Sequence, residues 1–288
     1  MKQRLLAPAK INLCLHVLGR RADGYHDLAM LMQRISVFDR LDVAVGSAPG
    51  VAVACTGVPL APDEENIAAR AARRLLEAAG VTGRVVIDID KRIPVAAGLG
   101  GGSSDAAAVL VGLNRGLDLG FDRQALMRFG RDLGADVPFF VYERTAWATG
   151  IGDVLDPVPP LPPFWCLLVN PGIPVSTAWA YRNLGLTSPG DVARLRKFPA
   201  TMSELVRLLH NDLERVTIGH HPLLAGIRRQ LVDLGALGAL MSGSGPTLFG
   251  IFESEAAARR AEQEMRRDRD WWLCVAEPLP DGPCVVDR

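Results

Sequence analysis

The chain has 288 residues, 49% of them hydrophobic, with 32 basic and 32 acidic side chains. That supply of apolar residues excludes a disordered polymer, and the length accommodates about two domains. Zero formal net charge argues against a general nucleic-acid binder, whose footprint is basic.

The N-terminal stretch MKQRLLAPAKINLCLHV lacks the apolar core and cleavage site of a signal peptide. No apolar run of about 18 residues is present to span a bilayer. Cys14, Cys55, Cys166, Cys274 and Cys284 are dispersed without CxxC spacing. They read as reduced, packed thiols rather than a disulfide framework or a zinc site. The expectation is a soluble, cytoplasmic protein.

Residues 4–18 alternate and predict a strand broken at Pro8. It would carry Ile11, Leu13, Leu15 and Val17 on one face, with Lys10, Asn12, Cys14 and His16 on the other. A polar turn over 19–24 leads to a second strand from Tyr25 to Val37. Alternation over 41–45 and 51–55 predicts a hairpin. In the first helix, over 64–79, Ile67, Ala71, Leu75 and Ala79 recur along one face. Glu64 and Glu65 suit its start and Gly80 its end. A strand over 85–90 precedes PVAAGLGGGSSDAA at 94–107, and a helix over 106–117 follows it.

In that stretch Gly98, Gly100, Gly101 and Gly102 let the backbone take left-handed dihedrals and approach a ligand closely. The following helix start directs N–H groups and a dipole at the turn, so the unit reads as a phosphate cradle. It is not a Walker loop, because the required lysine is missing. Nor is it a dinucleotide fingerprint, because Ser103 stands where the third glycine belongs. A tight strand-to-helix turn without a ligand would give the same local pattern.

A third helix over 122–133 leads into GADVPFFV at 134–141, where Asp136 is the one charge in an apolar run. A carboxylate there is costly unless it is paired or used. The plain alternative is a turn cap before Pro138. Five prolines between Pro157 and Pro163 form a stiff connector. The predicted domains are therefore 1–156 and 157–288. Beyond the connector, strands over 165–169, 237–241, 247–252 and 271–276 mix with helices over 203–216, 222–234 and 254–267. That order predicts an α+β second domain. His220-His221 reads as a loop, and Trp271 and Trp272 as packing residues.

Three separated stretches, Ala7-Pro8-Ala9-Lys10-Ile11-Asn12-Leu13, Pro94 to Ala107, and Met241-Ser242-Gly243-Ser244-Gly245-Pro246, together resemble the three motifs of the GHMP kinases, in the family's order. GLGGGSSDAA, GRRADGYHDL and GADVPFF further resemble the branch that phosphorylates a cytidine diphosphate alcohol for non-mevalonate isoprenoid synthesis. The resemblance implies a two-domain α/β (α+β) fold. Its N-terminal ATP domain would be like the second domain of ribosomal protein S5, and its C-terminal domain ferredoxin-like. ATP and Mg2+ are the implied cofactors, and a small-molecule alcohol is the implied partner, with no nucleic acid or membrane involved.

Carried over by position, Pro94, Val95, Ala96, Ala97, Gly98, Leu99, Gly100, Gly101, Gly102, Ser103 and Ser104 would hold ATP. Lys10 and Asp136 would be the catalytic pair, with Asn12 on the same strand face. Ser104 would ligate Mg2+ or simply cap the helix. Tyr25, His26 and Tyr181 would form the cytidine pocket. Gly243, Ser244 and Gly245 would close the cleft near phosphates and substrate. Asp105 departs from the family's commoner small or amide residue. The alternatives are a homoserine or mevalonate kinase of the same fold, and a catalytically silent nucleotide-binding protein. A monomer or weak homodimer is expected.

Overall fold

The computed structural model describes residues 1–57, 66–185, 195–267 and 269–282. Glu64, Glu65 and Cys284 lie outside them. Two sheets carry the chain.

The first sheet is built on a long antiparallel pair, β1 (Lys2–Arg20) and β2 (His26–Gly46). β1 runs through Pro8, contrary to the predicted break. The pairing register shifts between Pro8 and Ala9, an irregularity where a residue lacking an N–H is tolerated. A second shift between Asn12 and Cys14 inserts Leu13. Cys14 consequently packs in one core with Ile11 and Leu13, while Leu15 and Val17 enter another. The single-face expectation for these four apolar residues therefore fails at the bulge.

β2 also absorbs the separate strand predicted over 41–45. Its expected hairpin with 51–55 does not form, because β4 (Arg84–Asp90) lies between β2 and β3 (Gly50–Thr56). β3 pairs parallel with β4 through a crossover that contains α1 (Ile67–Ala79). Asn66 caps α1 by accepting from the Ala68 and Ala69 amides, and Gly80 closes it in the left-handed region. β5 (Ala146–Gly150) and β6 (Val154–Pro157) complete this side. α2 (Gly101–Gly116), α3 (Arg123–Leu133) and α4 (Val137–Tyr142) pack with α1 into one apolar core.

The second sheet has the order β11-β7-β10-β9, all antiparallel. These strands are β7 (Trp165–Asn170), β9 (Gly238–Met241), β10 (Leu248–Phe252) and β11 (Trp272–Ala276). α5 (Thr177–Arg182) follows β7, in a stretch where no helix was expected. The helix predicted over 203–216 is two helices, α6 (Met202–Leu208) and α7 (Asp212–His220). Between them β8 (His210–Asn211) pairs parallel with β1 and so belongs to the first sheet. Asn211 then restarts the helix by accepting from the Leu213 amide. His220 ends α7 and His221 joins it to α8 (Pro222–Asp233), so the expected loop shrinks to a joint. α8 and α9 (Glu255–Arg266) cover the second sheet. No helix among the described residues is long and apolar enough to cross a membrane.

Candidate active site

One cleft of about 1150 Å³ opens between the end of β4, the start of α2, the β1–β2 turn and α5. Its floor is made by two glycine loops that touch. α2 begins at Gly101, ahead of the predicted 106, so Gly101, Gly102, Ser103 and Ser104 form its first turn, with Gly100 as N-cap at φ +72°. The first N–H groups of such a helix have no intrahelical partner and favour an anion.

Gly98 sits at φ +77°, and a Cβ there would lie 2.0 Å from the Ser242 carbonyl oxygen. Gly243 returns the contact, since its Cβ would meet the Gly98 Cα at 3.2 Å and Lys10 Nζ at 3.5 Å. The Ser242 hydroxyl joins the two loops by donating to the Gly98 carbonyl at 2.9 Å. The Lys10 amide, from β1, donates to the Leu99 carbonyl at 3.0 Å. Only residues without a side chain permit this approach of backbone to backbone.

Lys10 projects from β1 beneath these loops and is buried. Its Nζ donates to Asn12 Oδ1 at 2.6 Å and stands 3.8 Å from Asp136 Oδ2. Burial lowers its pKa, and the Asp136 charge partly offsets that. Asp136 occupies the N-cap position of α4 but makes no capping hydrogen bond with its side chain. The carboxylate faces the cleft, at 32% side-chain exposure, rather than closing the helix. The cleft thus holds a buried cation and an accessible carboxylate a short gap apart.

On the opposite wall, the His26 and Tyr181 rings stack with centroids 4.9 Å apart. Burial, then the neighbouring Arg20 charge, lowers the His26 pKa and keeps the ring neutral. Burial, then the Asp136 charge, raises that of Tyr181 and keeps the phenol protonated. α5 presents Tyr181, and Ser176 caps that helix by accepting from the Trp179 amide. α5 is also fixed to the C-terminal glycine loop, because Thr177 Oγ1 and Ser244 Oγ lie 2.9 Å apart. Tyr25 lines the same wall and is 57% exposed.

The comparisons fit this geometry. The family model for the GHMP kinases N terminal domain matches residues 66–144, and the GHMP kinases C terminal model matches 194–269. The chain belongs to the GHMP kinases. A 4-diphosphocytidyl-2-C-methyl-D-erythritol kinase of Syntrophotalea carbinolica is 55% identical over 97% of this chain and 100% of its own length. The enzyme of that name from Pelobacter propionicus is 52% identical over 96% and 98%. A crystal structure of 4-(cytidine 5'-diphospho)-2C-methyl-D-erythritol kinase, 39% identical, superposes with a TM-score of 0.77 over 95% of this chain and 98% of that one. A homoserine kinase from Cytophaga hutchinsonii, 20% identical, has a TM-score of 0.77 over 99% and 97% and shares the fold.

Within this GHMP kinase, the cleft gathers Lys10, Asn12, Tyr25, His26, Pro94 to Gly98, Gly100 to Ser103, Asp136, Tyr181, Gly243 and Ser244. Three expected residues are not brought to it. Leu99 is buried in the core. A Cβ on Gly245 would meet Met241 Sδ at 2.6 Å, so its backbone supports the loop from behind. Ser104 lines a separate small cavity with Leu5, Arg34 and Phe140, and its buried Oγ has no hydrogen-bond partner. Its hydroxyl therefore neither caps α2 nor points at the phosphate region. Ser103, one residue earlier, does face the cleft.

Sequence reasoning missed a buried charge cluster beside the α2 start. Lys91 Nζ contacts Asp39 Oδ2 closely and Asp105 Oδ2 at 2.8 Å. Asp39 Oδ1 accepts from the Arg92 and Ile93 amides at 2.7 and 2.9 Å, which fixes the entry to the glycine loop. Burial would lower the Lys91 pKa, but the two carboxylates outweigh it and raise the value. Burial pushes the Asp105 carboxyl up to about 7. Asp105 thus finds its partner in Lys91, the residue that follows β4. Thr177, Asn66 and Arg182 also line the cleft without having been singled out.

Proposed function

We propose that this kinase transfers the γ-phosphoryl group of ATP to the 2-hydroxyl of 4-diphosphocytidyl-2-C-methyl-D-erythritol. The products are the 2-phosphate and ADP, in non-mevalonate isoprenoid precursor synthesis. The observation that carries the reading is the 3.8 Å separation of Lys10 Nζ and Asp136 Oδ2, between the glycine loops and the stacked His26–Tyr181 pair. Donor, acceptor and proton-transfer groups then share one cleft.

The chemistry follows from the charges. Phosphoryl transfer needs positioning and electrostatic stabilisation more than covalent help. Asp136 accepts the proton of the attacking hydroxyl, and Lys10 stabilises the negative charge that develops on that oxygen. Asn12, by accepting from Lys10 Nζ, keeps the ammonium from collapsing onto Asp136 and leaves room for the hydroxyl. The first turn of α2 takes the donor phosphates through its backbone amides. Ser103 and Asp136 offer oxygen atoms to the cleft, and they would fit a Mg2+ that arrives with the phosphates. That ion would supply neutralisation of phosphate charge. His26, neutral, offers a hydrogen-bonding edge to cytosine, while Tyr181 and Tyr25 offer apolar faces.

A homoserine kinase shares the fold, but homoserine carries no base for the His26–Tyr181 wall to recognise. Charged, water-borne substrates of this kind suit a cytoplasmic enzyme. We place the domain division at 156/157, with β8 as the return of the second part into the first sheet.

The test is MgATP-dependent ADP release measured against the cytidylyl alcohol, homoserine and mevalonate in parallel. Turnover of the cytidylyl alcohol alone is expected. Asp136→Asn should lower kcat by about 10²–10⁴-fold, or roughly 3–5 kcal/mol of barrier. Turnover of homoserine in place of the cytidylyl alcohol would overturn the substrate assignment. Wild-type kcat in Asp136→Asn would overturn the base.

A further inference from the structure

β8 lies beside β1 with Cys14 opposite His210 and Leu15 opposite Asn211. The pairing stacks the His16 and His210 rings, with centroids 4.4 Å apart and planes 14° from parallel. Asp212, at the start of α7, places Oδ1 2.7 Å from His210 Nε2, and its Oδ2 accepts from the Val17 amide at 2.7 Å. One ligating atom from each of His16, His210 and Asp212 falls within 4.8 Å of the others. Among the described residues no other three His, Cys, Asp or Glu side chains are grouped in this way.

We propose that His16, His210 and Asp212 bind a divalent transition-metal ion of the zinc type. Two imidazoles and one carboxylate suit such an ion, whereas Mg2+ prefers an all-oxygen shell. The site is therefore chemically distinct from the Mg2+ that accompanies ATP. Tetrahedral coordination at about 2.1 Å sets ligand atoms roughly 3.4 Å apart. The widest pair, within 4.8 Å, closes by up to about 1.4 Å and the 2.7 Å His210–Asp212 pair opens by about 0.7 Å, both within the reach of side-chain rotation.

The residues differ in how freely they can move. Stacked rings point their lone pairs in parallel, so one ring must turn toward the ion. His210 is exposed and can turn, whereas the Val17 amide fixes Asp212. The ion displaces the proton that His210 shares with Asp212, so its binding strengthens as pH rises.

The position gives the ion a structural consequence. Asn211, between two of the ligands, donates to the Met241 and Gly243 carbonyls at 2.7 and 2.8 Å. An ion held by His16 on one strand and His210 on the next fastens β8 to β1. It thereby fastens the residue that supports the C-terminal glycine loop.

The full chain, carrying no histidine tag, is titrated with Zn2+ by calorimetry and with Co2+ by visible absorption, without nucleotide. One ion per chain, proton release and a higher Tm with Zn2+ are expected. His16→Ala, His210→Ala and Asp212→Asn each remove a ligand and should each weaken binding at least about tenfold, the lower end of what loss of an outer-shell partner costs. The His220–His221 pair is the competing imidazole source, so the double variant H220A/H221A should bind as wild type. His210→Gln, which keeps a polar side chain, should fold as wild type and still lose the ion. Absence of Zn2+ binding by the wild type overturns the proposal. So does undiminished binding in His210→Gln, or a cobalt–thiolate band that places the ion on a cysteine such as Cys274.

Discussion

Replacing Gly98 by alanine tests the contact between the two glycine loops, and Gly102 provides the control. At Gly98 the backbone φ is +77°, which costs an alanine about 1–2 kcal/mol. The new Cβ would lie 2.0 Å from the Ser242 carbonyl oxygen and 3.2 Å from the Gly245 amide nitrogen, so backbone must shift. Overpacking of this kind costs about 1–3 kcal/mol. The shift also endangers the Ser242 Oγ bond to the Gly98 carbonyl, a further ~1 kcal/mol. The sum is about 3–6 kcal/mol, which lowers Tm by roughly 6–24 °C at about 2–4 °C per kcal/mol. Gly102 lies inside α2, and its added Cβ would make ordinary contact with Ile67 Cγ2 at 3.6 Å. Alanine there gains up to about 1 kcal/mol of helix propensity, so Gly102→Ala should hold or raise Tm. Calorimetric melting of the two variants beside wild type is the assay. Equal shifts in both, or a Gly98→Ala melt within about 2 °C of wild type, would refute the reasoning.

Three further predictions concern polar side chains in the first turns of the same helix. Ser104→Ala removes a buried hydroxyl that has no partner, so it should leave Mg2+ dependence unchanged and hold or raise stability by up to about 1 kcal/mol. Ser103→Ala should instead raise the Mg2+ and ATP concentrations needed for half-maximal rate, as steady-state kinetics would record. The Asp105 carboxyl is raised in the folded protein, to about 7 from 3.8. Its contribution to stability is therefore fully present below the unfolded pKa and is lost as pH rises through about 7. The difference in unfolding free energy between wild type and Asp105→Asn should accordingly fall between about pH 4 and 7. A flat difference, measured by denaturant titration at several pH values, would show that the Lys91 pair cancels the burial.

The parts of the site that were legible share a property: their residue types are costly where they stand. Glycines crowded at 98–102, a carboxylate in GADVPFF and a lysine in an apolar strand each demand a local reason. The fold was less legible wherever position depended on a distant partner. β3 looked like the second half of a hairpin because its own alternation says nothing about β4 entering between it and β2. β8 is two residues long and exists through its bonds to β1, so no periodicity could announce it. α5 is a short helix in a polar stretch, made by its Ser176 cap and by packing of Ala180. Asp39 and Lys91 resemble ordinary surface charges in sequence, and Asp105, though singled out, has no visible partner there. They become a cluster only once β2, the end of β4 and α2 converge.

The bond from the Ser242 hydroxyl to the Gly98 carbonyl spans 144 residues of sequence. Contacts of such separation form late, because a long loop must close before they stabilise anything. During synthesis the donor loop emerges well before its C-terminal counterpart has been made. An incomplete chain can thus own the whole N-terminal phosphate motif and still lack the surface against which Gly98 and Lys10 are set. The geometry of the N-terminal glycine loop is consequently completed by residues from the last fifth of the chain.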